Sequence, residues 1–115
     1  MSRISRKRDP AKLRAHAPVF AALGDETRLA LLARLADGMP RSISELTSGS
    51  RLTRQAITKH LRVLENVGVV RHARRGRESQ FAFDPQPLVG IQEYLEGVST
   101  QWDEALSRLK SFVES

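Results

Sequence analysis

The stretch TRQAITKHLRVLENVGVV, residues 53–70, leaves its part of the chain few local alternatives. Thr53 is a good helix N-cap, and Gly68 is the residue type that ends a helix in the left-handed conformation. Between them Ile57, Leu61 and Leu64 recur at helical spacing and share one face. The opposite face holds Gln55, Lys59 and Arg62, flanked by Thr58, while Arg54 projects from the first turn. A helix over 53–66 must therefore bury an ordinary apolar stripe and turn hydrogen-bond donors outward. The two valines after Gly68 begin an extended run.

The flanking segments have equally plain local signals. Asp9-Pro10 is an N-cap followed by proline at the first helical position, which predicts a helix over about 10–23 that Pro18 must break or kink. Gly24-Asp25 closes that helix and caps ETRLALLARLAD (26–37), where Leu29, Leu32 and Leu35 or Ala36 share a face. SISE at 42–45 is a capping box, predicting a short helix over about 43–48 that ends in the Thr47–Ser50 turn. In VVRHARRGRESQFAF (69–83), Phe81 and Phe83 alternate with other residues and Gly76 sits midway, which predicts a β-hairpin looping at Arg75-Gly76-Arg77. Asp84-Pro85 then caps a long last helix over 85–113.

That last helix repeats in sevens. Leu88, Leu95, Trp102 and Leu109 form one series, and Ile91, Val98, Ala105 and Phe112 form another. Together they make an a/d seam over nearly four heptads. A chain of 115 residues has too little body to bury such a helix, so a second copy is expected to cover it. The order of elements is a helix-turn-helix (42–67) followed by a wing (69–83) and a dimerisation helix (85–113). The expected fold is mainly α: one winged helix-turn-helix domain over 10–115, behind a basic flexible tail at 1–9.

Charge says what the open face could meet. Residues 1–83 carry 17 basic and 7 acidic side chains, whereas 84–115 carry 2 basic and 6 acidic ones. Within 51–77 there are eight Arg or Lys (51, 54, 59, 62, 71, 74, 75 and 77) against Glu65 and no other acid before Glu78. Such a surface suits a polyanion. An α-helix fits the major groove of double-stranded DNA, where Thr53, Arg54, Gln55 and Thr58 at its leading end can reach base edges. Lys59 and Arg62 suit phosphates, as do Arg74, Arg75 and Arg77 around the wing tip, while Arg71 serves to solvate a strand. Arg3, Arg6, Lys7 and Arg8 in the tail read as a solubilising segment, with a phosphate-contacting arm as the alternative.

Other functions find less support in the residues. There are no cysteines, which excludes disulfides and thiolate metal sites. His16, His60 and His72 show no i,i+3 or i,i+4 pairing, so no local metal pair is expected and no cofactor is implied. His60 reads as a packing or backbone-orienting residue and His72 as a polar wing position. Nothing resembles a catalytic nucleophile arrangement. No apolar run reaches a membrane span or a signal segment, so a soluble cytoplasmic protein is expected. The competing reading is a winged-helix protein-interaction module with only nonspecific nucleic-acid affinity. The pairing of Gln55 with Thr58 argues for base reading, because a purely electrostatic surface needs neither.

With these residues in view, ALGDETRLALLARLADG, SISEL and LTRQAITKHLRVLENVGVVRHARRGRESQFAF together resemble the arsenic-repressor (ArsR) family of dimeric winged-helix regulators. The resemblance spans about residues 15–83, and the terminal helix has the family's dimerisation character. It implies a homodimer that represses transcription at an inverted-repeat operator, often its own promoter. Metal-sensing members carry a cysteine pair in the short third helix, where this chain has ELTSG at 45–49, or Asp and His pairs on the last helix, which here has no histidine. The chain is therefore similar to a cysteine-free subgroup that does not sense metals.

Overall fold

The computed structural model describes residues 10–114. Helix α1 (Pro10–Leu23) is followed by α2 (Glu26–Leu35), a short strand β1 (Arg41–Ser42) and α3 (Ile43–Thr47). Then come α4 (Arg54–Asn66), the strands β2 (Val70–Arg75) and β3 (Glu78–Phe83), and the long α5 (Gln86–Glu114). The tail at 1–9 and the expected capping of α1 by Asp9 lie outside the described residues.

Helix ends follow local chemistry. Asp25 caps α2, its Oδ1 accepting the Arg28 N–H at 3.0 Å. Ser42 and Glu45 form the capping box of α3: Ser42 Oγ accepts the Glu45 N–H at 3.1 Å, and Glu45 Oε1 accepts the Ser42 N–H at 2.8 Å. Thr53 Oγ1 accepts the Ala56 N–H at 3.1 Å at the start of α4. At its other end Gly68, with φ +83°, donates to Glu65 O at 2.9 Å, and Val69 donates to Leu64 O at 3.2 Å. This is a Schellman closure, and the left-handed φ is the reason for glycine there.

The core gathers α1, α2, α3, α4 and the sheet around Leu35, Leu46, Ile57, Leu61, Leu64, Val69 and Val70, all fully buried. Two expectations about the helices change. First, α1 continues unbroken through Pro18. Val19 and Ala22, just beyond the proline, are buried in the core, and that packing outweighs one lost backbone hydrogen bond. Second, the inward stripe of α2 is Leu31, Leu32 and Leu35, while Leu29 stays 51% exposed. The helix is rotated from the expected face, so that Arg28 lies on its inner side.

The sheet also has one strand more than the expected hairpin. Its order is β1-β3-β2, with β1 antiparallel to β3 and Arg41 opposite Phe81, Ser42 opposite Gln80. A two-residue strand has no alternation by which a sequence could announce it. Its effect is large, because it fixes the start of α3 to the base of the wing.

Helix α5 meets the body along its first half. Ile91 is buried in the core, Leu88 packs against it, and His16 of α1 stacks on Tyr94 with ring centroids 5.2 Å apart. Gly90 permits this approach, since a Cβ there would lie 3.3 Å from the His16 ring. Gly97, Val98 and Gln101 still line a groove against α1, and beyond them the side chains of this 29-residue helix, about 43 Å long at 1.5 Å per residue, are exposed. The radius of gyration is 18.7 Å, against about 13 Å for a compact domain of this length.

The caps carry a pH signature. Backbone N–H donors hold three carboxyls below their usual range: Arg28 N–H for Asp25, Ser42 N–H for Glu45 and Gln86 N–H for Asp84, the last helped by Arg71. A carboxyl that binds its proton less tightly when folded contributes stability above its unfolded pKa of about 4. That stability is lost as pH falls through the lowered folded value. The urea midpoint should therefore hold between about pH 7 and 5 and decline below about pH 4. Replacing Asp25 and Asp84 by Asn should flatten that decline, and an undiminished acid slope in the double variant would show that other groups control it.

Candidate nucleic-acid interface

One surface of the molecule is built from α4 and the β2-β3 wing. The burial of Ile57, Leu61 and Leu64 turns Gln55, Lys59 and Arg62 outward, and all three are exposed. Among the described residues, the side chains of Gln55, Lys59, Arg62, Arg74, Arg75 and Arg77 have no hydrogen-bond or ion-pair partner.

Four arginines elsewhere in the body contrast with these. Arg28 Nε donates to Ala22 O at 2.6 Å, and Arg34 donates to Leu46 O at 2.8 Å and Glu45 O at 3.0 Å, tying α3 to α2. Arg41 pairs with Asp37 at 2.6 Å. Arg71, expected only to solvate a strand, pairs with Asp84 at 2.5 Å and so ties the wing base to the start of α5. These guanidiniums hold elements together; among the described residues those of Arg62 and the wing tip are left open.

The first turn of α4 is less free than its residue types suggest. Thr53 Oγ1 is occupied as acceptor by the cap. Thr58 is half-buried and donates its hydroxyl to Arg54 O at 2.7 Å, a back-bond that leaves only acceptor capacity and a methyl group. Arg54 donates from Nη1 to Ser44 Oγ at 2.7 Å, so its head lies toward α3. Gln55 keeps its whole amide for an outside partner.

Two ties orient this surface. Arg28 Nη1 can only donate and lies 3.2 Å from His60 Nδ1, which makes that ring nitrogen an acceptor. Through this contact His60 anchors α4 to the first turn of α2. On the wing, His72 Nδ1 bonds the Glu65 carboxylate of α4, and its ring lies 5.5 Å from that of Phe81. The orienting role expected of His60 thus has its partner in Arg28. No local signal pointed to that pairing, since an arginine in a leucine-rich helix such as α2 reads as exposed.

The wing closes tightly. Arg75 pairs with Glu78, leaving Gly76-Arg77 as a two-residue connection, and Gly76 has φ +62°. Positive φ at the first loop position alone matches a type II′ turn, whose twist suits a hairpin. Arg74, Arg75 and Arg77 all remain exposed at this tip.

The expected seam divides along α5. Leu88 and Ile91 serve the chain's own core, and Val98 is half-buried beside α1. Leu95, Trp102, Leu109 and Phe112 are exposed by 47%, 66%, 56% and 78%, and Ala105 is exposed as well. Leu106 and Val113, outside the expected a/d series, are equally open and widen the stripe. Among the described residues no group of three or more His, Asp or Glu is placed to hold a metal, and no helix is long and apolar enough to cross a membrane.

A helix-turn-helix carried by a small α domain, a hairpin wing with open arginines and a projecting apolar helix define a winged-helix DNA-binding regulator. A helix-turn-helix domain model matches residues 23–73. The chain is 31% identical over 96 residues to the HTH-type transcriptional regulator Rv2034 of Mycobacterium tuberculosis, covering 84% of this chain and 86% of that one. It is 40% identical over 79 residues to the HTH-type transcriptional regulator YuzN of Bacillus subtilis, covering 64% and 86% respectively. An ArsR-like transcriptional regulator from Rhodococcus sp. RHA1 has a similar structure, with TM-score 0.73 and 35% identity over 89% of this chain and 95% of that one. The chain belongs to the ArsR family of helix-turn-helix transcriptional regulators, whose members bind double-stranded DNA. Its relatives are regulators, not enzymes.

Proposed function

We propose that this protein is a homodimeric cytoplasmic repressor that binds an inverted-repeat operator of its own or a neighbouring operon. Helix α4 enters the major groove, Gln55 reads a base edge, and Lys59, Arg62, Arg74, Arg75 and Arg77 meet phosphates. Thr53 and Thr58 shape the leading turn and offer their methyl groups and remaining hydrogen-bond capacity to nearby bases. Leu95, Val98, Trp102, Ala105, Leu109 and Phe112 of two copies pack together. The observation that carries this reading is the row of six side chains without partners among the described residues, one of them an uncharged amide. A surface serving charge alone has no use for that amide.

Genomic footprinting, followed by titration of the recovered site at several salt concentrations, tests the reading. The operator should be preferred over random DNA by about a thousandfold or more. Gln55→Ala should relax base preference at one position per half-site and cost about 1–3 kcal/mol on the best site. Lys59→Ala, Arg62→Ala or Arg75→Ala should weaken all sequences evenly and lower the salt slope by about 0.9 for each phosphate no longer neutralised. If all four variants weaken operator and random DNA alike, Gln55 is not a base reader. A wild-type protein with no preferred site is instead an interaction module with nonspecific nucleic-acid affinity.

A further inference from the structure

Where α3, α4 and the wing meet there is a polar cleft of about 220 Å³. Its walls include Ser42 and Ser44 from the start of α3, Arg54 from the first turn of α4, and Arg77, Glu78 and Ser79 from the wing. The short strand β1 creates it, by pairing Ser42 with Gln80 and so laying the start of α3 beside the wing. Arg54 is bonded to Ser44 Oγ at 2.7 Å, which holds one guanidinium at the wall. Arg77 has no partner among the described residues, and neither does the half-buried Ser79 hydroxyl. Ser42 Oγ accepts the cap N–H of Glu45.

We propose that this cleft seats a single phosphate of the DNA backbone, gripped by Arg54 and Arg77 from opposite elements, with Ser44 and Ser79 as hydroxyl donors. This rests on the operator-binding reading above and changes the part played by Arg54. Its position in the first turn suggests base reading, but its anchor on Ser44 turns the head away from the outward row led by Gln55. Two guanidiniums and two hydroxyls are the donor set a phosphodiester accepts. The cleft also has a reason to lie where it does, since a phosphate held between α4 and the wing fixes how both approach the duplex. Glu78 is the opposing charge at the wall, and it supplies a control of opposite sign.

The test uses the full-length protein on its recovered operator, with single neutral methylphosphonate linkages scanned through each half-site. For wild type, one linkage position should weaken binding about tenfold, the loss expected when charge-assisted hydrogen bonds to one phosphate go. In Arg54→Ala or Arg77→Ala that same linkage should cost clearly less than in wild type, because one of the two guanidiniums at that phosphate is already gone. Both variants should lower the salt slope on random DNA by about 0.9 for that phosphate, and keep the operator-to-random ratio within about twofold. Ser44→Ala keeps the charge but frees Arg54, and should give a smaller loss of the same kind. Glu78→Gln should tighten binding to every sequence. The proposal is overturned if Arg54→Ala collapses the operator-to-random ratio, or if every linkage keeps its full cost in both arginine variants. It is also overturned if inorganic phosphate at fixed ionic strength binds wild type but not Arg77→Ala and leaves bound DNA in place, since the cleft would then hold free phosphate away from the duplex. A wild type without any preferred site would sink the operator reading instead, while the salt slopes on random DNA would still judge the cleft.

Discussion

Trp102→Glu is expected to turn the protein into a monomer at micromolar concentration and to weaken operator binding by two orders of magnitude or more. Trp102 is 66% exposed on a helix whose far half contributes no residue to the core among the described residues. Buried aromatic anchors near the middle of an interface typically cost about 2 kcal/mol or more when removed. A two-fold interface carries the change in both copies, so a shift of about 4 kcal/mol, near a thousandfold, follows for association. Two copies of α4 about 34 Å apart read successive major-groove turns, and linked half-sites gain about a hundredfold or more over either alone. Sedimentation equilibrium and operator titration check the two halves of this expectation. A variant that sediments as a monomer yet holds the full operator like wild type would break the link between dimer and affinity. A variant that remains dimeric would move the dimer interface to α1.

The second large effect concerns the footing of the recognition helix. Leu61 is fully buried, between the equally buried Ile57 and Leu64, and Leu61→Ala should cost about 2–5 kcal/mol of stability. Small domains have about 5–15 kcal/mol in total, so a substantial part of the fold's margin would go. At fixed protein concentration the urea midpoint should fall by about 1–3 M with an unchanged slope. The molecules still folded should keep their operator preference within about twofold, because the outward row from Gln55 to Arg62 is untouched. Val63→Ala, on the same helix but 37% exposed, should cost much less. A loss under about 1 kcal/mol for Leu61→Ala would mean that α4 is not held by this face.

Much of this molecule is legible one helix at a time. The cap at Thr53, the Ser42–Glu45 box, the Gly68 terminator and the Gly76 turn are each decided within a few residues, because a backbone amide without a partner needs one nearby. The outward set on α4 is equally legible, since a 3.6-residue period fixes which side chains oppose Ile57, Leu61 and Leu64. The heptads of α5 announce an apolar stripe by the same logic. What the residues do not convey is which parts of such stripes a chain uses for itself. Ile91 and Leu88 belong to the same periodic series as Trp102 and Phe112, yet the first two close the core and the last two lie open. Only the place where α1 crosses α5, at His16 and Gly90, divides them.

The same distinction governs charge. By composition Arg28, Arg34, Arg41 and Arg71 look like Arg62, Arg74, Arg75 and Arg77. The first group found carbonyls and carboxylates when the elements packed, and the second did not. Periodicity determined which way the recognition helix faces, and local capping determined where it starts and stops, because both depend on neighbours within a turn or two. Tertiary packing decided the rotation of α2, the joining of β1 to β3, the anchoring of His60 by Arg28 and the cleft between Ser44 and Arg77. Each of those depends on groups brought together from distant parts of the chain, and a hydrogen bond across such a distance leaves no period in the sequence.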